Sequence, residues 1–303
     1  MKTNFKLKAL AVAAIMAVSA PALATMQGAT SGNGELIVNF ISQGGASATA
    51  GGDDFSATFD LGVTMNDALS WNGVSGFTRT WNLDTGLMTG TGIVGSSVIG
   101  NYGNIWSSLN SSAVGAIEFN VIALDNTDKT TVIGGSRYLT TANVSSYPAL
   151  TAANLKGFDV MDQYVDKNNL LGTHVGSANG AALATPADAA NSYFRAVNGF
   201  GLGDTWASKT TQDTTKTLDT AQNFWFLTEN GTTSVKTVFG VDLGDAGSIV
   251  NAAGEFGKWS VDAANHTITY ANPTAPVPEA STWAMLLAGL GMISMMIRRR
   301  SNS

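Results

Sequence analysis

Few residues in this chain are of the types that catalyse reactions, and their spacing argues against the common enzyme classes. His174 and His266 are the only histidines, and neither lies in an H-E-x-x-H zinc-protease motif. No G-x-S-x-G nucleophile elbow occurs, and the chain has no cysteine, which excludes thiol catalysis, disulfides and cysteine-ligated metals. The sequence therefore predicts that the protein is not an enzyme.

The segment Gly90–Gly95 matches the G-x-G-x-x-G pattern of dinucleotide-binding loops. In such a loop a helix follows at once, because its first backbone amides hold the pyrophosphate. Here the following residues, 96–103, are rich in Gly, Ser and Asn and are poor helix formers. The pattern therefore predicts a glycine-rich loop without a nucleotide.

Carboxylates are a further group of residues in the chain that could bind a metal or catalyse a reaction. Residues 25–277 contain 21 acidic and 10 basic residues, a net charge of −11. The segments Asp125–Asp128 and Asp159–Asp166 offer oxygen ligands, but neither follows an EF-hand pattern. No cofactor is expected, and Ca²⁺ is the one ion that such an acidic chain leaves open. A glycosidase-like carboxylate pair also stays open, because spacing along the chain does not show which acids meet in space.

Aromatic side chains could instead bind sugars by stacking, where they are exposed. Trp81 and Trp225 lie in strongly alternating segments and are predicted to be core residues. Trp106 and Trp206 lie among Gly and Ser residues and are predicted to be exposed loop residues that contact sugar. A carbohydrate-binding β-sandwich module is therefore the first alternative function.

Composition and charge limit the partners. Only 13% of the 303 residues are charged and 44% are hydrophobic, which favours a folded, loop-rich protein over a disordered one. Nucleic acid binding needs clustered Lys and Arg that displace counterions. The acidic body between the two ends offers no such cluster, so no nucleic acid partner is expected.

The N-terminus has the form of a secretory signal peptide. It contains three lysines within the first eight residues, an apolar run over residues 9–18, and then Ala22 and Ala24 in an A-x-A cleavage site. We therefore expect residues 1–24 to be a signal peptide, with export by the Sec route and cleavage by signal peptidase after Ala24.

The C-terminus joins an apolar stretch to a basic end. Residues 283–297 form the stretch, and as a helix they would be about 22 Å long, short for a hydrocarbon core of about 30 Å. Arg298, Arg299 and Arg300 follow and should stay cytoplasmic by the positive-inside rule. The sequence predicts a single transmembrane helix over residues 283–297 that holds the body briefly on the periplasmic side of the inner membrane.

Ahead of this helix stand Val277, Pro278, Glu279, Ser281, Thr282 and Trp283. With the helix and the arginines they resemble the PEP-CTERM sorting signal, although Ala280 stands where that family usually has a second Pro. The resemblance implies that an exosortase, a transpeptidase-like membrane enzyme, recognises the tail and removes it near Pro278 and Glu279. It also implies delivery to the surface or the exopolysaccharide matrix of a Gram-negative cell.

The body between the ends is predicted to be mainly β. Runs of β-branched and aromatic residues, bounded by Gly, Asn and Asp clusters, favour a β-sandwich or jelly-roll-like fold over residues 25–275. Residues 151–166 have helical spacing, and Thr185-Pro186 has the form of a second helix start, with the helix running to about Asn198. A helical insertion is therefore expected over residues 151–200, ahead of the sorting signal at 276–303.

Together these patterns predict an exported, exosortase-processed structural protein of the cell surface or of an extracellular, biofilm-associated matrix. Besides the carbohydrate-binding module, a secreted glycosidase-like enzyme is the second alternative, and two facing carboxylates in a cleft would favour it.

Overall fold

The computed structural model describes residues 25–28, 32–42, 54–125, 137–142, 161–191, 193, 213–228, 237–238, 257–274 and 280–300. Residues 1–24, with Ala22 and Ala24, lie outside these ranges, as do Trp206 and Val277–Glu279. The signal peptide, its cleavage site and the sugar contact of Trp206 therefore stay predictions.

The described body is dominated by β-strands joined in antiparallel pairs. The strands are β1 Glu35–Ser42, β2 Phe55–Thr64, β3 Thr78–Asn82, β4 Leu87–Gly90, β5 Ser97–Val98, β6 Ile117–Asp125, β7 Arg137–Thr141, β8 Ala181–Ala184, β9 Lys216–Thr217, β10 Gln222–Thr228, β11 Thr237–Val238, β12 Lys258–Asp262 and β13 Thr267–Ala271. One path of pairings runs β5-β4-β3-β13-β12-β10-β7-β6-β1-β2-β8, with β9 beside β6 and β11 beside β10.

Alternation along the strands creates the core. In β1, Leu36, Val38 and Phe40 point into the hydrophobic core, whereas Asn39 lies on the opposite face. The same alternation puts apolar side chains of β2, β6, β10, β12 and β13 into that core. The mainly β prediction is therefore confirmed, and the alternating runs are the feature that made it readable.

The sheet curls until its two ends face each other across this core. Strands β2 and β3 are far apart along the path of pairings, yet the Trp81 indole Nε1 donates a hydrogen bond to the Leu61 carbonyl oxygen over 3.0 Å. Trp81 also stacks on Trp259 with ring centroids 5.5 Å apart. The body thus has two facing layers, as in a sandwich, that belong to one continuous curled sheet.

Hydrogen bonds near β5 and β8 tie the two ends of the path together. Asn179 Nδ2 donates to the Ile99 carbonyl oxygen over 2.7 Å, and Asn101 N donates to the Asn179 carbonyl oxygen over 3.2 Å. Asn179 has φ = 52°, in the left-handed region that Asn tolerates better than most residues. Gly100 lies against this junction, where a Cβ would collide with the Asn179 carbonyl oxygen.

Short helices cover the layers. They are α1 Met65–Leu69, α2 Ile105–Ser112 and α3 Met161–Asn169, together with 3₁₀ helices at Gly172–Val175 and Pro186–Asn191. Thr64 begins α1 with a capping box, because its hydroxyl accepts from Asp67 N while the Asp67 carboxylate accepts from Thr64 N.

The predicted helical insertion contains helices and one strand. Helix α3 covers Met161–Asn169 and the 3₁₀ helix covers Pro186–Asn191, while the predicted start of the first helix at 151–160 and most of the predicted end of the second at 192–198 lie outside the described residues. Between them, Ala181–Ala184 forms β8 and pairs with β2. Ala and Leu are strong helix formers, so this strand results from pairing with the open edge of β2 rather than from local preference.

A buried polar network lies between the insertion and the outer face of β1, β2 and β6. Asn39 Oδ1 accepts hydrogen bonds from the hydroxyls of Thr58 and Tyr164 over 2.9 and 2.8 Å. Asn39 Nδ2 donates to Asn120 Oδ1 over 2.9 Å, and Asn120 Nδ2 donates to the Tyr193 hydroxyl over 2.7 Å. Burial raises the pKa of Tyr164, so its hydroxyl stays protonated and available as a donor.

The C-terminal end of the body is fastened to the turn after α1. Asn272 N donates to the Phe77 carbonyl oxygen over 2.8 Å, and its side-chain Nδ2 donates to the carbonyl oxygens of Trp71 and Val74 over 2.7 and 2.9 Å. The Pro273 carbonyl oxygen accepts from Gly76 N over 3.0 Å. The described body is therefore held in place up to Pro273.

Closure of the sheet can be tested at Gly100. Gly100→Ala would force the new Cβ into the Asn179 backbone, so the free energy of unfolding should fall by about 2 kcal/mol or more in chemical denaturation. Gly176→Ala is the matched control, because its Cβ would meet nothing within 4 Å. Equal stability of the two variants would contradict the closed arrangement.

Candidate functional site

A pair of carboxyl groups, the half-buried Glu35 and the buried Asp60, lies where β1 meets β2. A register shift between Glu35 and Ile37 marks an irregularity in the pairing, and Glu35 and Asp60 lie close enough to interact electrostatically. Glu35 Oε2 accepts from Gln27 N over 2.7 Å, and Asp60 Oδ1 accepts from Gly62 N over 2.8 Å. The pair therefore lies beside the first described residues of the chain.

Both carboxyls of this pair hold protons more tightly than exposed ones. Burial raises the pKa of Asp60 well above its ordinary value, and the nearby charge of Glu35 raises it further. Burial also raises the pKa of Glu35. A raised carboxyl pKa is what a general acid needs, but Asp60 is only 1% exposed, so a substrate does not reach it. The pair is a structural element of the sheet.

A second pair of carboxylates meets at a threonine. The Thr215 hydroxyl lies 2.8 Å from Glu118 Oε2 and 3.2 Å from Asp213 Oδ1. Burial would raise the pKa of Asp213, but hydrogen bonds from Lys216 and Thr215 outweigh it and lower the pKa. Asp213 is thus held as a carboxylate by Lys216 Nζ at 2.6 Å, which makes it a poor proton donor.

The two histidines lie in different surroundings. His174 is 1% exposed, and burial lowers its pKa to about 4, so the ring is neutral near pH 7. His266 lies at the turn between β12 and β13, with φ = 52° and Nδ1 2.6 Å from Asp84 Oδ2. The His266 carbonyl oxygen also accepts from Leu83 N over 2.8 Å. This histidine ties two turns together.

The sequence predicts that Trp106 is an exposed sugar-binding residue, and the prediction of exposure is wrong. The residue lies in α2, is 1% exposed, and packs edge-on against Phe40 with ring centroids 4.9 Å apart. Trp106 and Leu109 are spaced i, i+3 and form the buried face of α2. That spacing was present in the sequence but was masked by the Gly and Ser residues around it.

The other tryptophans of the described body are buried as well. Trp81 and Trp225 are core residues as predicted, with exposures of 0% and 2%. Trp71 and Trp259 also lie in the core. No indole in the described part of the body is therefore presented to solvent for stacking on a sugar.

Two further predicted sites are partly described, whereas Asp128 and Asp159 lie outside the described residues. Gly90, Gly92 and Gly95 have positive φ and form the exposed turn between β4 and β5, in agreement with a glycine-rich loop. Asp125 Oδ2 accepts two hydrogen bonds from Arg137, over 2.8 and 2.6 Å. Among the residues that the structure describes, no three His, Asp or Glu side chains come together around a metal position.

The C-terminal segment forms one α-helix, α4, from Ala280 to Arg300. Its described apolar side chains are largely exposed, with Met285 at 76% and Leu287 at 67%, and Arg298 and Arg299 are exposed near its end. Within the described ranges, no helix has both the length and the apolar character of a membrane span. The transmembrane role of residues 283–297 stays a prediction.

The carboxyl pair gives the body a pH-dependent stability. Because its pKa values are raised, the folded protein keeps a proton that the unfolded chain releases near pH 4, so the free energy of unfolding falls as pH rises above this value. Asp60→Asn removes the buried charge and keeps the acceptor for Gly62 N. We expect it to stabilise the protein at pH 7 by about 1 kcal/mol or more, and not at pH 4.

Denaturant unfolding at the two pH values measures this effect. Asp166→Asn, on the exposed side of α3, is the control and should change stability at neither pH. Destabilisation of Asp60→Asn at pH 7 would show instead that the Asp60 carboxylate is satisfied in the fold.

His174 should change the pH dependence of the free energy of unfolding in the opposite direction. The unfolded chain binds a proton at this residue below about pH 6.5, whereas the folded protein does so only below about pH 4. The free energy of unfolding should therefore fall by about 2–3 kcal/mol as pH falls through this window. His174→Gln should lose that part of the pH dependence in unfolding titrations, and His266→Gln should retain it. An unchanged slope in His174→Gln would refute the burial effect.

The comparisons with known proteins bear on the tail. The family model of the PEP-CTERM protein-sorting motif matches residues 276–300. No curated protein and no solved structure matches the chain. The match covers the helix α4 with Arg298, Arg299 and Arg300 at its end. Residues 276–300 are therefore a PEP-CTERM protein-sorting motif, and the chain is an exported protein that exosortase sorts to the cell surface or beyond it.

Proposed function

We propose that the protein is a structural component of the cell surface or of the extracellular, exopolysaccharide-containing matrix, and that it is not an enzyme. The observation that carries this proposal is the sorting motif at residues 276–300. It is joined to a body whose described carboxyl pairs and histidines are buried or bonded to other residues of the body. The Sec route, a brief inner-membrane intermediate and cleavage near Pro278 and Glu279 are parts of the same proposal.

The chemistry of the body supports a structural role. The carboxyl of Asp60 is buried, and Asp213 is held as a carboxylate by Lys216, so neither is placed to donate a proton to a substrate. His174 is buried and His266 is bonded to Asp84. Hydrolysis of a glycosidic bond needs one carboxyl acid and one carboxylate that both reach the sugar, and neither described pair meets that condition.

The charge of the chain supports an extracellular polymer as the environment. A net charge of −11 over residues 25–277 keeps copies apart and disfavours binding to nucleic acid and to anionic lipid. A neutral polysaccharide imposes no such repulsion. The proposed partners are therefore signal peptidase and exosortase during export, and exopolysaccharide afterwards.

Intact-mass measurement of the native protein, in host cells with and without the exosortase, tests this function. With the enzyme, we expect an extracellular species that starts at Thr25 and lacks the residues beyond about Pro278. Without it, we expect a full-length tail retained in the cell-envelope fraction. A variant with Arg298, Arg299 and Arg300 replaced by Asn should behave like the enzyme-free strain.

Two results would count against the proposal. Retention of the intact tail in both strains would mean that residues 276–300 are not processed. Hydrolase activity in the released protein that disappears in Glu118→Gln or Asp213→Asn would identify an enzyme at the second carboxylate pair instead.

A further inference from the structure

The two layers of the body differ in what covers their outer faces. The insertion, with α3 and Tyr193, packs on the outer face of β1 and β2, where Asn39 and Thr58 are buried. Strands β12, β13, β3 and β4 instead have outward side chains that are half-buried or exposed along their length. Nothing in the described part of the chain covers this second face.

A row of hydroxyl side chains crosses the uncovered face. Ser260 pairs with Thr269, Thr269 pairs with Thr80, and Thr80 pairs with Thr89, so four neighbouring strands each contribute one hydroxyl in the same register line. We call these four residues the hydroxyl row. At about 4.8 Å between strands, the row is about 14 Å long. The hydroxyls of Thr80 and Thr269 lie 2.9 Å apart.

Mostly polar residues extend the face on both sides of the row, together with Ala271 and Leu87. Two positions along each strand return to the same face, which places Thr267 beside Asn82 and Thr78 beside Ala271. The charged residues at the outward positions of these strands are Lys258 and Asp262, both on β12. A mostly polar surface with the hydroxyl row at its centre therefore lies on a body that is strongly acidic as a whole.

We infer that the hydroxyl row binds a neutral, polyhydroxylated polymer, that is, an uncharged polysaccharide chain. One hydroxyl of the Thr80–Thr269 pair uses its proton on the other, and the remaining hydroxyls of the row can both donate and accept hydrogen bonds, which matches the hydroxyl groups of a sugar. An extended glycan presents such groups at intervals close to the spacing of β-strands. A polyanion is disfavoured, because the acidic body would repel it and the single Lys at the outward positions, Lys258, is offset by Asp262 on the same strand.

The buried tryptophans determine how such binding would work. Because Trp81, Trp106 and Trp259 are in the core, the face relies on hydrogen bonds rather than on aromatic stacking. Hydrogen bonds exchanged with water contribute little each, so one body would bind weakly. A polymer with many repeats offers many such sites, so a matrix can hold many bodies even though each one binds weakly.

This inference rests on the proposed surface or matrix function, and its test is independent of sorting. The released native protein is mixed with insoluble cellulose, a neutral glucan, and with the neutral polysaccharide isolated from the host, and the bound fraction is measured by sedimentation. The double variant Thr80→Val and Thr269→Val removes two central hydroxyls while keeping shape and β-propensity. Thr220→Val, in the turn before β10, is the control.

Wild-type protein and Thr220→Val should sediment with a neutral polysaccharide, and the double variant should lose at least about fivefold in bound fraction. Matching thermal unfolding of all three proteins makes the comparison independent of folding. Equal binding of wild type and double variant, or sedimentation with neither probe, would overturn the inference. Preference for alginate, a polyanion, would also overturn it. Normal tail removal in the intact-mass experiment would leave the sorting function standing in each of these cases.

Discussion

Closing one sheet around an aromatic core, without any disulfide, is the constraint that the rest of this body obeys. The Trp81 indole reaches across the core to the Leu61 carbonyl, and the same ring stacks on Trp259. Such a contact requires the two ends of the sheet to curl until they face each other. The junction at Asn179 then completes the curl, since its backbone and side chain bond to the segment after β5.

Each layer of the curled sheet has an outer face, and the two outer faces differ in how far they are covered. One is buried, and its polar side chains are satisfied in a chain of hydrogen bonds from Thr58 through Asn39 and Asn120 to Tyr193. Burying polar groups is tolerated only where such partners exist. The other face keeps its hydroxyl row toward solvent. The insertion therefore determines which side of the body can meet other molecules.

The sequence was most informative where periodicity and local chemistry agree. The alternation in the segments around Trp81 and Trp225 predicted strands and core residues correctly, and the tail residues 277–300 indicated the sorting motif that the family comparison confirms. These signals depend only on neighbouring residues. They need no knowledge of how the chain folds back on itself.

The misses depend on distant contacts. Ala181–Ala184 is a strand because β2 offers it an edge, and Trp106 is buried because Phe40 lies opposite it. Glu35 and Asp60 lie on neighbouring strands, where a register shift between Glu35 and Ile37 sets Asp60 opposite Ile37. The hydroxyl row likewise joins residues from Thr80 to Thr269 that become neighbours only through sheet order. None of these relations is written in the spacing along the chain.

The fastening of Pro273 to Gly76 has a consequence for the geometry of processing. The sorting motif begins three residues further on, and a fully extended chain of that length reaches at most about 10 Å. The linker between the body and the motif is therefore very short. An enzyme that binds the start of the motif must approach the folded body closely. The turn around Val74 lies on the side of the body nearest to the motif. The short link therefore keeps the processing enzyme and the folded body close together while the tail is recognised.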